Sequence, residues 1–389
     1  MMLSPARDVP EPGPIGADAR QPEAGRRPRS PSGTGVSASP APRIEFCRPG
    51  DEEELADFDR RTGSAPSTPE YWRWKYFDNP AGPACVAVAR VADRIVGRLG
   101  FLPVRMRVHT REVVSTQQVD VAIMAEHRGG GVYFQLAHAV MEEGARRGIA
   151  FGFGFATEDT RALSVDLLGF DLVGPVHRLT KVLDYGHYAG AWLGPRAARM
   201  VRRVAVRARG RGPRRPVPLG ASVAPFDHFD EGFDRLAADP GRVMTIRDAT
   251  YLNWRYADCP TTRYGRYAAR TEGAVFGFVV FHTFELDGVV RGIVDELVCS
   301  PDDPDTVKSL LDPAIADLAA EGAVNAVCWL PPWHPLGARL RALGFRDREA
   351  RNYLIVLRNE AAGLECDQLL DAGHWYYTHG DSDYHLRSA

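Results

Sequence analysis

Apolar and polar positions alternate over two neighbouring stretches of the first half of the chain. Val86–Val91 and Ile95–Phe101 follow this pattern, and the turn residues Ala92–Arg94 separate them. Alternation with period two around a short turn predicts a β-hairpin. The pattern downstream predicts two strands, a helix, a buried strand, a helix and a last strand, at Arg105–His109, Ser115–Ile123, Val132–Arg147, Ile149–Phe155, Thr160–Leu168 and Leu172–Leu183.

The residues before the hairpin predict a short strand and two helices. The strand is Arg43–Phe46, the first helix is the acidic segment Asp51–Arg61, and Pro69–Tyr76 forms a second helix after Thr68. A strand meander followed by a turn, helix, strand, helix and strand is an α+β order.

The same order of signals occurs twice along the chain. Residues 71–80 and 251–260 share Tyr, Trp, Tyr, Asp and Pro at matching positions, with a basic residue between Trp and Tyr in both. Matches continue downstream: Arg90 with Arg270, Gly97 with Gly277, Asp120 with Asp295, and Leu168–Phe170 with Leu343–Phe345. We therefore expect two related domains. The matched Trp74 and Trp254 are expected to pack in a core or between the domains.

The two copies differ between the strand that carries the matched aspartate and the next helix. The first copy has Arg128 followed by glycines at 129–131, whereas the second has Pro-Asp-Asp-Pro-Asp at 301–305. Glycines let backbone N–H groups approach a ligand, and the start of a helix favours a phosphate. An acidic turn with two prolines removes donors and repels anions. The first copy is thus predicted to bind a pyrophosphate and the second is not.

Bulk composition narrows the class of protein. The chain has 389 residues, 44% of them hydrophobic, which is enough for two cores, and a net charge of −2 argues against a nucleic-acid binder over its whole surface. The six cysteines lie far apart, which is typical of free thiols in a reducing compartment. We find neither a membrane span nor the apolar core of a secretion signal, so a cytoplasmic protein is expected.

The expected organisation has five parts. Residues 1–42 are rich in Pro, Gly, Ala, Ser and Arg and are predicted to be disordered. The first domain spans 43–190, a linker 191–222, the second domain 223–358 and a tail 359–389. The linker holds nine arginines within Arg196–Arg215, which fits a solvated linker or a site for tRNA, nucleotide phosphates or anionic lipid.

The loop Arg128–Tyr133 resembles the R/Q-x-x-G-x-G/A loop that holds the pyrophosphate of acyl-CoA in the GNAT N-acetyltransferase superfamily. It follows the fourth predicted strand and opens the third predicted helix, as in that family, and Leu168–Phe170 resembles the family's closing Gly-Phe. The resemblance implies two GNAT-like domains, each a mixed, mostly antiparallel sheet flanked by helices (an α/β three-layer arrangement), with the second domain degenerate.

The resemblance also implies the cofactor contacts. Backbone groups of Val121 and Ile123 would bind the pantetheine of acetyl-CoA like an added strand. The pyrophosphate would lie on the loop, whose residues are Arg128, Gly129, Gly130, Gly131, Val132 and Tyr133. Two positions depart from the family: Tyr133 replaces a small residue and should lean away from the phosphates or alter the cofactor grip. Val165 replaces the usual tyrosine acid.

Two acidic residues are candidates for the base that deprotonates an amine. Asp120 lies on the strand where the family often uses a carboxylate, yet its match with Asp295 equally fits a structural role. Glu158 follows the next strand and equally fits a helix-capping acid. His127 is expected to be solvated. In the tail, His379, Asp381, Asp383 and His385 fit an exposed polar terminus better than a metal site, and no metal is expected.

The sequence favours an acyl-CoA-dependent N-acyltransferase that transfers acetyl from acetyl-CoA to an amine of a small molecule. Two other functions stay open. One is a GNAT-like protein that binds CoA without catalysis, which Val165 favours. The other is an aminoacyl-tRNA-dependent transferase that forms amides, with tRNA at Arg196–Arg215. The acceptor and the oligomeric state are not determined by the sequence.

Overall fold

The structure is a computed structural model that describes residues 41–63, 68–194, 196, 221–236 and 241–383. Nearly all of the segment 1–42 that was predicted to be disordered, and nearly all of Arg196–Arg215, lie outside these residues. Of the cysteines, the five whose side chains are described are free, as expected. Within the described residues, no helix has both the length and the apolar character needed to cross a membrane.

The first half of the chain forms seven strands and five helices among the described residues. The strands are β1 Arg43–Phe46, β2 Cys85–Val91, β3 Arg94–Val108, β4 Arg111–Ile123, β5 Phe151–Thr157, β6 Asp171–Pro175 and β7 Arg178–Val182. The helices are α1 Glu52–Thr62, α2 Pro69–Tyr76, α3 Val132–Arg146, α4 Glu158–Leu168 and α5 Tyr185–Leu193. The predicted hairpin is β2–β3, and Thr68 caps α2 by accepting from the N–H of Tyr71.

The second half repeats this order. Its strands are β8 Ala221–Pro225, β9 Val243–Thr245, β10 Gly265–Thr271, β11 Ala274–Leu286, β12 Val289–Cys299, β13 Asn325–Trp329, β14 Arg346–Arg348 and β15 Asn352–Arg358. Its helices are α6 Ala249–Leu252, which runs into a π turn at Asn253–Ala257, α7 Pro304–Ala320, α8 Leu336–Ala342 and α9 Cys366–Leu370. Two mostly antiparallel sheets with flanking helices confirm the α+β class.

The two halves share strands: the second half supplies β15 and the short β9 to the first sheet, and the first half supplies β7 to the second. The first sheet has the order β1-β2-β3-β4-β5-β15-β6, with β9 beside β3, and the second has the order β14-β7-β13-β12-β11-β10-β8. Strand β15 thus enters the first sheet between β5 and β6, and β7 enters the second between β13 and β14. The sheets therefore do not follow the sequence ranges 43–190 and 223–358.

Two strand predictions were wrong in detail. Arg105–His109 is not a separate strand, because β3 runs unbroken to Val108. Leu172–Leu183 is not one strand either. The chain leaves the first sheet after Pro175 and joins the second sheet at Arg178. An apolar pattern predicts extended backbone, but it does not show that the backbone changes its partner.

The matched tryptophans join the two halves, as expected. The rings of Trp74 and Trp254 stack with centroids 5.0 Å apart. The indole N–H of Trp74 donates to the carbonyl of Trp254 at 2.8 Å, and that of Trp254 donates to the carbonyl of Trp74 at 3.0 Å. Both side chains are buried, so each half completes the core of the other.

The tail is buried, and the prediction of an exposed polar terminus was wrong for residues 375–382. Its charged and polar groups are paired. Gln117 of β4 donates to the carbonyl of Asp381 at 2.9 Å, and Arg247 lies 2.6 Å from the Asp381 carboxylate. Arg255 donates to the carbonyls of Gly380 and Ser382. Satisfied partners let a polar segment lie between the two sheets.

Candidate functional site

Strand β4 parts from β5 halfway along its length. The two strands pair at Thr116 with Gly152 and at Gln117 with Phe153. Beyond Gln117, no strand among the described residues pairs with this edge of β4. The side chain of Val121 is largely exposed here. The gap is a cleft along the edge of β4 at 118–123. No described strand pairs with this edge, so an added strand could lie here, although the carbonyls of Asp120 and Ile123 already accept from Arg98 and Arg128.

The glycine loop lies at the outer end of this cleft. Gly129 and Gly131 have φ of 78° and 76°, in the left-handed region, and a Cβ at either position would meet nothing within 4 Å. Helix α3 begins directly after Gly131, with no side chain capping its first N–H groups and no acidic residue in its first turn. Arg128 is exposed beside it and donates to the carbonyl of Ile123. Open N–H groups, the helix start and one cation together suit a pyrophosphate.

The corresponding helix of the second half is closed to anions. Asp303 caps α7 by accepting from the N–H of Thr306 at 3.0 Å, and Pro304 removes a further N–H. The hydrogen bonds from Thr306 hold the pKa of Asp303 below its usual range, so this carboxylate is ionised at neutral pH. A fixed negative charge therefore occupies the position that a phosphate would take.

Tyr133 leans into the cleft, away from the exposed side of the loop. Nε2 of Gln118 on β4 donates to its hydroxyl at 3.4 Å, and Ser164 of α4 lies close enough to influence its pKa. The hydroxyl thus lies between the two walls of the cleft. Burial raises the pKa of Tyr133, so the phenol is protonated at neutral pH. Whether this side chain leans away from bound phosphates or alters the cofactor grip stays a prediction.

Asp120 lies at a β-bulge beside the cleft. Its φ of 58° is in the left-handed region, where aspartate is one of the better tolerated residues. Its carboxylate is 2% exposed and lies 2.8 Å from the ammonium of Lys75, and the hydroxyl of Tyr76 donates to it at 2.7 Å. Asp295 lies at the matching bulge of β12 and contacts His282 at 2.7 Å. Both aspartates are buried and paired.

Glu158 occupies a different environment from Asp120. It is the first residue of α4, is largely exposed, and forms an ion pair with Arg161. The hydrogen bond from Arg161, followed by one from Tyr353, lowers the pKa of Glu158. A lowered pKa makes a carboxylate a weaker base. His127 lies half-buried in the turn Ala125–His127 before the loop.

Sequence reasoning missed Lys75 and Asp383, which lie next to Asp120. Lys75 is buried, and its ammonium lies 3.2 Å from the carboxylate of Asp383 as well as 2.8 Å from that of Asp120. The repeat held a signal for Lys75, because it is the basic residue between the matched Trp and Tyr. Its counterpart Arg255 is equally buried. The position of Asp383 has no such signal, since the tail reaches this site from 260 residues away along the chain.

Comparison with known proteins agrees with this arrangement. Residues 44–162 match the acetyltransferase (GNAT) domain family. No curated protein matches the chain. Similar solved structures include a probable N-acyltransferase from Enterococcus faecalis, with a TM-score of 0.56 and 11% identity over 81% of this chain and 71% of that one. A GCN5-related N-acetyltransferase from Anabaena variabilis has a TM-score of 0.56 and 12% identity over 83% and 75%.

The N-myristoyltransferase of Saccharomyces cerevisiae, solved with bound myristoyl-CoA and inhibitors, has a TM-score of 0.57 and 12% identity over 88% of this chain and 86% of that one. At these identities the solved structures establish the fold. The match at residues 44–162 places the family signal on the half that has the open cleft and the glycine loop. Residues 44–162 therefore match the acetyltransferase (GNAT) domain family, and they lie inside a two-sheet fold similar to that of these solved structures.

Proposed function

We propose that the chain is an acyl-CoA-dependent N-acyltransferase that moves acetyl from acetyl-CoA to an amine of a small molecule. One observation carries the proposal: the unpaired edge of β4 leads into the uncapped start of α3 through Gly129–Gly131. This combination offers a strand partner for a pantetheine and N–H groups for a pyrophosphate in one continuous cleft. The second half lacks the second element, because Asp303 caps its helix.

The residues of the first half divide the work of binding. In this proposal, backbone groups of Val121 and Ile123 bind the pantetheine, and N–H groups from Gly129 to Tyr133 bind the pyrophosphate. Arg128 adds a positive charge at the outer end of the cleft, where it is exposed. In this proposal most of the rate enhancement comes from holding the thioester beside the amine, because proximity removes much of the entropic part of the activation barrier.

Asp120 is the proposed base. The ammonium of Lys75 at 2.8 Å favours its ionised form, which a base requires. Because the carboxylate is buried, it would draw the proton of the incoming ammonium through a bound water. Glu158 remains the second choice, because its side chain is largely exposed at the start of α4, whereas Asp120 lies on the strand that borders the cleft.

A titration and a turnover assay test the proposal. Isothermal titration of the full chain with acetyl-CoA should give one site per chain, since α3 starts without a capping side chain and its counterpart α7 is capped by Asp303. Turnover is then measured as release of the CoA thiol in the presence of a panel of small amines. Two sites per chain, or none, would contradict the assignment. Binding with no turnover for any amine would favour the function as a non-catalytic CoA-binding protein, for which the inert side chain of Val165 speaks.

A further inference from the structure

Acyl transfer from a thioester, the function proposed above and the premise of this subsection, releases a thiolate that needs a proton. Val165 cannot supply one. Its side chain is apolar and packs against Ala156, Phe170 and Ile355 on the sheet. The proton must therefore come from another group of the cleft or from water.

Tyr133 holds a protonated hydroxyl between the two walls of this cleft. Gln118 stands on β4 one residue beyond its last pair with β5, and Ser164 stands on α4, the helix that follows β5. Gln118 donates to the phenol at 3.4 Å, and Ser164 lies close enough to influence its pKa. Gly154 of β5, which follows the last pair with β4, carries no side chain that could fill the cleft at this level.

We propose that Tyr133 is the general acid of this chain and that its hydroxyl protonates the leaving CoA thiolate. The residue comes from the start of α3, the same helix whose N–H groups face the pyrophosphate. Tyr133, which replaces a small residue in the glycine loop, then supplies the acidic hydroxyl that Val165 lacks. Gln118 and Ser164 orient the hydroxyl.

The protons and bonds of this step balance. The amine nitrogen attacks the thioester carbonyl and forms the C–N bond, and the C–S bond breaks with its electron pair on sulfur. The phenolic proton passes to that sulfur. The proton that the amine loses returns through solvent to the phenolate, so the products are an amide and the CoA thiol, with the enzyme unchanged.

Other polar groups near the loop are worse placed for this role. Arg128 is exposed, its guanidinium donates to the carbonyl of Ile123, and it does not release a proton at neutral pH. His127 lies in the turn before the loop, and no hydrogen bond of its side chain to the cleft is found among the described residues. Burial raises the pKa of the Tyr133 phenol, and its two neighbours Gln118 and Ser164 are neutral. The phenol is therefore protonated and uncharged when it donates to the sulfur.

The main test is Tyr133→Phe, which keeps the ring and its edge contact with Phe134 but removes the proton. We expect kcat to fall about 100-fold, the lower range for loss of a positioned acid, with the Kd for acetyl-CoA near that of the wild type. Tyr267→Phe is the matched control. It removes one phenol from the second half, where the hydroxyl donates to Asp317, and turnover should not change.

A binding experiment gives a readout that does not depend on turnover. A phenol that contacts the sulfur should make the wild type bind CoA about fivefold more tightly than desulfo-CoA, the size expected for one hydrogen bond. Tyr133→Phe should bind the two ligands equally. A purely structural role for Tyr133 would shift both affinities together and leave their ratio unchanged.

The outcomes separate this inference from the function on which it rests. If the wild type neither binds acetyl-CoA nor turns over, both fail. If the wild type turns over and Tyr133→Phe is equally fast, the acid assignment alone is wrong. If Tyr133→Phe matches the wild type and Tyr133→Ala binds acetyl-CoA more tightly, Tyr133 is an obstacle in the cleft and the assignment is again wrong. A lower kcat with equal binding of CoA and desulfo-CoA by the variant supports it.

Discussion

The cleft beside β4 and its counterpart beside β12 share their strands and differ at the helix that follows. Both strands carry a buried aspartate at a bulge, and both pair with the next strand over a short stretch before the sheet opens. At the helix, however, α3 starts with free N–H groups after Gly131, whereas α7 starts under the carboxylate of Asp303. A few residues at one helix start therefore separate a cleft that suits a phosphate from one that repels it.

This difference separates the needs of the fold from those of the ligand. Asp120 and Asp295 have different partners, Lys75 and His282, but in both halves the carboxylate is buried and paired. The bulge and its ion pair thus serve both sheets. The halves differ chemically in backbone groups and in a few side chains at the edge of one cleft. Changing these groups has little effect on the stability of the fold.

The largest effect should come from placing a carboxylate where the second half has one. Gly131→Glu should abolish binding of acetyl-CoA in isothermal titration, because the added charge meets the pyrophosphate at the start of α3. Gly148→Glu is the matched control, since Gly148 also has a left-handed φ, of 70°, and open space around it, but lies past the end of the same helix. Retained binding by Gly131→Glu would show that α3 does not hold the cofactor.

Removing either tryptophan of the stacked pair between the halves should lower stability by a similar amount. Trp74→Ala and Trp254→Ala each remove a buried ring and one of the two indole N–H bonds, and each should lower the free energy of unfolding by about 3–5 kcal/mol. Urea unfolding followed by circular dichroism should remain a single transition in both variants. Two separate transitions would show that the halves unfold independently in spite of the exchanged strands.

The matched aspartates should differ in turnover but not in their structural role. Asp120→Asn tolerates the left-handed φ and should lower kcat about 100-fold with acetyl-CoA affinity unchanged. Asp295→Asn should leave kcat unchanged, and both variants should lose stability because a buried partner is left with a weaker contact. Turnover and thermal melting measure the two effects. Full turnover in Asp120→Asn together with its loss in Glu158→Gln would reverse the proposed roles.

The smallest expected effect is a dependence of stability on pH below neutrality. Burial lowers the pKa of His379, which lies against Asp295, from 6.5 to about 3. Between pH 6.5 and pH 3 the unfolded chain therefore binds a proton at His379 that the folded chain does not. The contribution of His379 to stability is complete above pH 6.5 and falls as the pH drops toward 3. Between pH 6.5 and pH 5 the contribution of His379 should fall by about 2 kcal/mol. Burial raises the pKa of Glu296 to about 7, so this carboxylate gains stability over the same range and opposes the loss in the wild type. Urea unfolding should therefore show His379→Gln gaining about 2 kcal/mol relative to the wild type between pH 6.5 and pH 5. A constant difference between the two proteins would show that His379 makes no such contribution.

Much of the fold and the loop of the site could be predicted from the sequence, because both depend on local signals. The repeat of residues 71–80 at 251–260 predicted two related units, and the glycines at 129–131 predicted an open helix start. The exchange of β7 and β15 could not be predicted in this way. Alternation reports which face of a strand is buried, but the neighbour of that strand is chosen by contacts far apart in sequence.

The inner part of the site was harder to predict for a related reason. The tail around Asp381 is rich in polar residues, which argues for exposure when it is considered alone. It is buried because Arg247, Arg255 and Gln117 supply partners from three other segments. The same holds for Lys75, whose burial depends on carboxylates from β4 and the tail. Whether a buried polar group finds a hydrogen-bond partner depends on the completed fold and cannot be predicted from composition.

The exchanged strand β15 also sets the order in which the protein can be made. Between β5 and β6 the first sheet lacks a strand until residues 352–358 leave the ribosome, long after β6 itself. The wall of the cleft that β5 and α4 provide therefore remains unsupported while the second half is translated. A chain that stops early, even one that contains every residue of the proposed cofactor site, has no completed first sheet. Acyl-CoA binding would then require that the chain has been translated through β15.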